Sequence, residues 1–257
     1  MNWKLKKKYA TLLEQEQGSV KKVWGTYNTV CLAYPNYYRT GMANLGFQTV
    51  YKIFNEQPSF LCERVFLPAA GDEAEFAAGG AELFSIENQK PIAEFDILAF
   101  SLSFENDYPN ILKILELAGI PLLSRERSEN HPLVMGGGIA ATMNPEPIAD
   151  FFDLFILGEA EEVLPRVARL FEDARRFNTG RKDLLIQMQK ILRQAYVPAL
   201  YTVQYDADSK IRAVEATVGG LPKRIKINPI KNLDAFCTAE IISAPQTEME
   251  DMYLVEV

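Results

Sequence analysis

Phe95-Asp96-Ile97-Leu98-Ala99-Phe100-Ser101-Leu102-Ser103 decides the fold. Ile97 to Phe100 is apolar without interruption, so the strand it predicts has no face that tolerates water and must be covered on both sides. The segment after it has helical period. Asp107 stands at the capping position with Pro109 in the first turn, Ile111, Leu112, Leu115 and Ala118 supply a buried face, and Gly119 ends the helix. An apolar strand followed by an amphipathic helix is the unit of a parallel sheet wrapped by helices.

The same unit recurs in both directions. Upstream, Thr29 to Tyr34 reads as a first buried strand stopped by Pro35-Asn36, and Ala43 to Asn55 as a helix with Leu45, Thr49, Val50 and Phe54 on one face. Cys62 to Leu67 is a second strand, and Ala69 to Lys90 is expected to be irregular, with a short extra strand at Phe84 to Glu87. Downstream, Leu133-Val134-Met135 runs into Gly136-Gly137-Gly138, Phe151 to Leu157 is a fifth strand, and Glu159 to Phe177 is a helix with acidic residues at its start. The expected fold is therefore α/β: a doubly wound, mostly parallel, five-stranded flavodoxin-like sheet with strand order 2-1-3-4-5.

Beyond it come a helix from Arg181 to Ala195, a hairpin around Asp206 to Lys210, and an extended linker from Leu221. The expected division is an N-terminal arm or helix over residues 1–27, the α/β domain over 28–180, and the helix, hairpin and linker over 181–257. The closing run Met252 to Val257 is strand-like, which suggests a piece of a longer chain.

Composition narrows the function. With 27 Lys plus Arg against 34 Asp plus Glu the net charge is −7, which opposes a nucleic-acid surface. A 48% hydrophobic content is enough to fold and excludes disorder, while no run reaches the ~18 apolar residues of a membrane span. No secretory signal is visible, and Cys31, Cys62 and Cys237 are scattered, which points to a reducing, cytoplasmic setting with the thiols as small buried groups. The single histidine, His131, lies before the fourth strand, so chemistry needing two imidazoles is excluded.

In an open parallel sheet, ligands bind at the carboxyl ends of the strands near the switch point. That rule selects Tyr34-Pro35-Asn36 and its continuation to Gly41, then Ser101-Leu102-Ser103, then Gly136 to Thr142. Ser101 and Ser103 flank Leu102, so both hydroxyls are expected on one side. Three glycines let a backbone approach a ligand closely or simply make a tight turn. Arg39 reads as a surface ion-pair partner, and the lysines of the first eight residues as a solvated arm. No Walker or Gly-x-Gly-x-x-Gly loop follows the first strand.

Together, Ser101-Leu102-Ser103, the run Val134 to Pro147 with its Gly-Gly-x-Ala-x-Thr segment, and Gly158-Glu159-Ala160-Glu161 resemble the N-terminal B12-binding-type domain of radical SAM proteins. The stretch Tyr34 to Glu56 is similar to an uncharacterised branch of them, and the resemblance covers roughly residues 28–180. It implies an accessory domain beside a radical SAM barrel in the same parent chain, where a [4Fe-4S] cluster and S-adenosylmethionine reside. It further implies a cobalamin site at the strand ends formed by Tyr34, Pro35, Asn36, Ser101, Leu102, Ser103, Gly136, Gly137, Gly138, Thr142, Gly158 and Glu159. The Asp-x-His-x-x-Gly motif that offers an axial imidazole is missing after the first strand, and no Cys-x-x-x-Cys-x-x-Cys motif is present. The implied domain thus either holds cobalamin without a histidine ligand or has lost the vitamin and serves docking or substrate recognition.

Overall fold

Strand β1 (Asn28–Tyr34) is buried from Thr29 to Tyr34, because it lies second in the sheet with helices on both faces. The computed structural model describes residues 3–79, 82–227, 229–230, 236, 239–244, 247, 249 and 252–255. Helix α1 (Trp3–Glu14) precedes β1; α2 (Tyr38–Met42), α3 (Leu45–Glu56), β2 (Phe60–Phe66) and α4 (Ala70–Gly79) follow it. Then come β3 (Ile97–Ser101), α5 (Tyr108–Leu117), β4 (Leu133–Gly137), α6 (Ile139–Met143), β5 (Leu154–Ile156) and α7 (Leu164–Arg176). Helix α8 (Arg181–Ile191), β6 (Ala195–Tyr196), β7 (Tyr201–Tyr205) and β8 (Ile211–Ala216) complete the order.

The main sheet runs β2-β1-β3-β4-β5-β6. The first five strands are parallel in the expected flavodoxin-like order, and β6 adds antiparallel to β5 through Phe155–Tyr196 and Ile156–Ala195. Strand alternation splits the core in two. Val30, Leu32, Ile97, Ala99 and Met135 face α3, α7 and α8, whereas Cys31, Ala33, Leu98, Phe100 and Val134 face α5 and α6. Helix α1 sends Leu5 to one core and Leu13 to the other. It is thus a packed helix, and its Lys4 and Lys8 pair with Glu75 and Asp72 rather than forming only a solvated arm.

Several local expectations change. Residues 69–90 contain α4, and Phe84 makes an isolated bridge to Pro91 rather than a strand. The loop after β1 is interrupted by α2, and α3 begins at Leu45 because the Asn44 side chain caps it through the Phe47 N–H. Helix α7 starts at Leu164 with no acid in its first turn, so Glu159, Glu161 and Glu162 belong to the preceding loop. Helix α8 stops at Ile191, which frees Ala195 to enter the sheet. The hairpin forms as expected. Val255 makes only an isolated bridge to Ala239, and Glu256, Val257 and Cys237 lie outside the described residues.

The edge strand β2 carries the least expected burial. Glu63 and Arg64 are both 0% exposed inside it. Arg64 bonds Glu87 and Glu16 at 2.6 Å each, and Glu63 accepts from Ser85 and Asn88. The outer backbone of β2 is satisfied as well: Asn55 bonds both the N–H and the carbonyl of Cys62, Glu87 accepts from the Arg64 N–H, and Ile86 donates to the Arg64 carbonyl. An edge so covered offers no ladder to another strand.

Candidate functional site

Strand order reverses between β1 and β3, and the chain leaves a cavity of about 630 Å³ at the carboxyl ends of the strands beside that point. Leu32, Ala99, Met135 and Ile156 form its floor; Leu45, Thr49, Val50 and Phe54 of α3 and Leu164 of α7 form its walls. The four residues that the sequence places on one face of α3 therefore line a cavity. The volume is typical of small-molecule sites, which are mostly apolar with a few placed polar groups.

The polar groups come from two strand ends. Ser101 closes β3 opposite Gly137 of β4, and Ser103 follows two residues later; both line the cavity, while Leu102 between them is fully buried. The Ser103 Oγ accepts from Asn44 Nδ2 at 3.1 Å. Neither serine donates its hydroxyl proton to any described residue.

All three glycines line the cavity, and two of them have a further task. A Cβ on Gly136 would fall 2.9 Å from Phe152 and 3.0 Å from Phe155, so this glycine admits core rings. Gly137 lies on the cavity side, two residues after Met135. Gly138 has φ +106°, and a Cβ there would lie 2.5 Å from the Leu102 carbonyl, so it lets the β4 turn press against the β3 loop.

The remaining residues selected from the sequence divide. Gly158 and Glu159 line the rim. Thr142 stands outside the lining and holds the rim in place, because its Oγ1 accepts from the Gly158 N–H at 2.9 Å. The Glu159 carboxylate accepts from the Ile230 N–H. Tyr34, Pro35 and Asn36 do not line the cavity. Tyr34 is buried edge-on against Phe47, the Pro35 carbonyl accepts from Asn110, and Asn36 donates to Asp107 at 2.8 Å. Helix α2 turns the chain away at this point, so the loop after β1 braces the start of α5 instead of the cavity. Arg39 is exposed and makes no ion pair with any described residue. Sequence reading passed over Asn44 and Gly46, both in the lining; their signal was an Asn directly before a helical pattern.

Asp107 makes no side-chain cap to α5; its Oδ1 takes the Asn36 bond and its Oδ2 is buried with no partner. Burial raises its carboxyl above the usual range, against the opposing Asn36 bond. The ionised form is therefore penalised in the folded protein, fully so above the folded-state pKa and not at all below the ordinary value near about 4. Asp107→Asn keeps an acceptor for Asn36 and is expected to raise the urea midpoint at pH 7, with the advantage lost as pH falls below about 4. Equal midpoints at both pH values would show that Oδ2 is hydrated.

Among the described residues no group of three or more His, Cys, Asp or Glu side chains is arranged to hold an ion. Cys31 and Cys62 face opposite cores, and burial pushes both thiols well above their ordinary pKa, which disfavours the thiolate a cluster needs. His131 precedes β4, at the opposite end of that strand from the cavity, and its Nδ1 accepts from the Ser128 N–H. No described helix is long and apolar enough to cross a membrane.

An uncharacterized protein of Methanocaldococcus jannaschii is 36% identical over 81 residues, which are 31% of this chain and 16% of that protein. The chain thus matches only a small part of this relative's length. A solved D-alanyl-alanine synthetase A from Vibrio cholerae aligns with 38% of this chain and 31% of its own at 17% identity, with a TM-score of 0.23. The family model for the N-terminal region of radical SAM proteins matches residues 46–198, from the first turn of α3 past β6, and so takes in every strand end that lines the cavity except that of β1. Because that match spans more than half of the sequence, the chain belongs to the radical SAM protein N-terminal family.

Proposed function

We propose that this chain is the accessory domain of a radical SAM enzyme and that its cavity holds part of a cobalamin without a protein imidazole on the metal. The carrying observation is the apolar cavity at the carboxyl ends of β1, β3, β4 and β5, which presents two serine hydroxyls with undonated protons beside a glycine backbone. Ser101 and Ser103 would bond polar atoms of the ligand, Gly137 would leave room for it, and the α3 wall would exclude water. Cobalamin itself would supply the organometallic chemistry, and this domain its orientation. The family match supports placing a [4Fe-4S] cluster and S-adenosylmethionine in a catalytic domain of the same parent protein, since the three scattered cysteines here form no Cys-x-x-x-Cys-x-x-Cys motif.

The test is an anaerobic absorbance titration of the full-length protein with hydroxocobalamin, paired with equilibrium dialysis. Saturable binding is expected, and Ser101→Phe is expected to abolish it while leaving the melting curve in place. Absence of saturable binding by the full-length protein removes the cofactor reading. A second reading would then stand on the exposed apolar residues Phe104, Ile139 and Met143, which follow Ser103 and the glycine turn. On that reading the strand ends are a docking face for the catalytic domain.

A further inference from the structure

The Asn44 amide has only one orientation that satisfies its neighbours. The backbone N–H of Phe47 can only donate, and it donates to Oδ1 at 2.8 Å, so Oδ1 faces α3 and Nδ2 faces the cavity. Nδ2 in turn donates to Ser103 Oγ at 3.1 Å. A hydroxyl that accepts on one side must turn its single proton elsewhere, and Ser103 has no acceptor among the described residues. Gly46 makes room for the arrangement, since a Cβ there would come within 3.3 Å of Asn44 Oδ1.

We infer that Asn44 is a positioning residue: it directs the Ser103 proton into the cavity, so that this corner selects ligands carrying a hydrogen-bond acceptor and discriminates against matched ligands lacking one. The selectivity is built from three parts, the α3 cap, the amide and the serine. It deepens the cofactor reading by naming the polarity of the ligand at one point, but it concerns the cavity itself and does not require cobalamin.

Asn44→Asp separates cap from direction. The carboxylate still caps the Phe47 N–H, as aspartate does at helix starts. It can no longer donate to Ser103, and as an acceptor it draws the serine proton out of the cavity.

The probes are 1-methylbenzimidazole and 1-methylindole, equal in shape and differing by one ring-nitrogen acceptor, titrated into the full-length protein by NMR. The native protein is expected to favour the benzimidazole by about five- to tenfold, the worth of one ordinary hydrogen bond. Asn44→Asp and Ser103→Ala should each bring the ratio close to one, with the Asn44→Asp melting temperature unchanged. Asn44→Asp retaining the native ratio overturns the inference, as does a native protein that binds both probes equally or neither. Failure of hydroxocobalamin to bind while the probes are still discriminated overturns only the cofactor reading.

Discussion

Arg64→Met is expected to destabilise the protein by about 3–5 kcal/mol, the usual cost of removing one partner from a buried charge pair. Arg64 is 0% exposed and is the shared cation between Glu16 and Glu87, both of which are fully buried at their side chains or nearly so. Without it, two carboxylates remain in an apolar setting. Burial already pushes Glu87 above its ordinary pKa, and the guanidinium is the chief group opposing that rise. Urea unfolding at pH 7 measures the loss; a change below about 1 kcal/mol would mean that water reaches the carboxylates, as for exposed pairs. Adding Glu16→Leu and Glu87→Gln to Arg64→Met should recover part of the stability, because the stranded charges go while the new amide keeps an acceptor for the residue 64 N–H.

Gly138→Ala is the second large effect. At φ +106° and ψ 179° the residue occupies a region essentially restricted to glycine, with a strain cost of roughly 1–3 kcal/mol for any other residue. The added Cβ would also sit 2.5 Å from the Leu102 carbonyl, which accepts from the Ala140 N–H. Relief requires the β4 turn to part from the Ser101–Ser103 loop, so ligand binding should fall together with stability. Gly219→Ala is the control: a Cβ there meets nothing within 4 Å and should change the urea midpoint little. If both substitutions behave alike, the contact between the two loops contributes nothing.

Much of the fold was legible because it rests on local pattern. The strands β1, β3, β4 and β5 are short apolar runs between turn residues, and α5 and α7 carry apolar residues at helical spacing. Those periods report burial directly, which is why the parallel order followed from the number of strand–helix units. Residues 70–79 were missed because their alanines and acids give no strong helical stripe, and the helix is held partly by α1, whose Lys4 and Lys8 pair with Glu75 and Asp72.

At the strand ends, the sequence by itself determined that two serines two residues apart share a side, and that a glycine run follows β4. Both properties belong to the chain locally, through strand alternation and the absence of Cβ atoms. Only the tertiary structure decided that all three glycines line the cavity, that Gly136 also admits core rings and that Gly138 also lets two loops touch, since each role depends on what lies opposite. It likewise decided that Pro35 and Asn36 brace the start of α5, that Asn44 reaches Ser103 across 59 positions, and that Arg64 meets Glu16 across 48. Pairings of that reach leave no period in a sequence. They exist because packing brings distant polar atoms together away from bulk water, where an unpartnered group such as Asp107 Oδ2 is the exception.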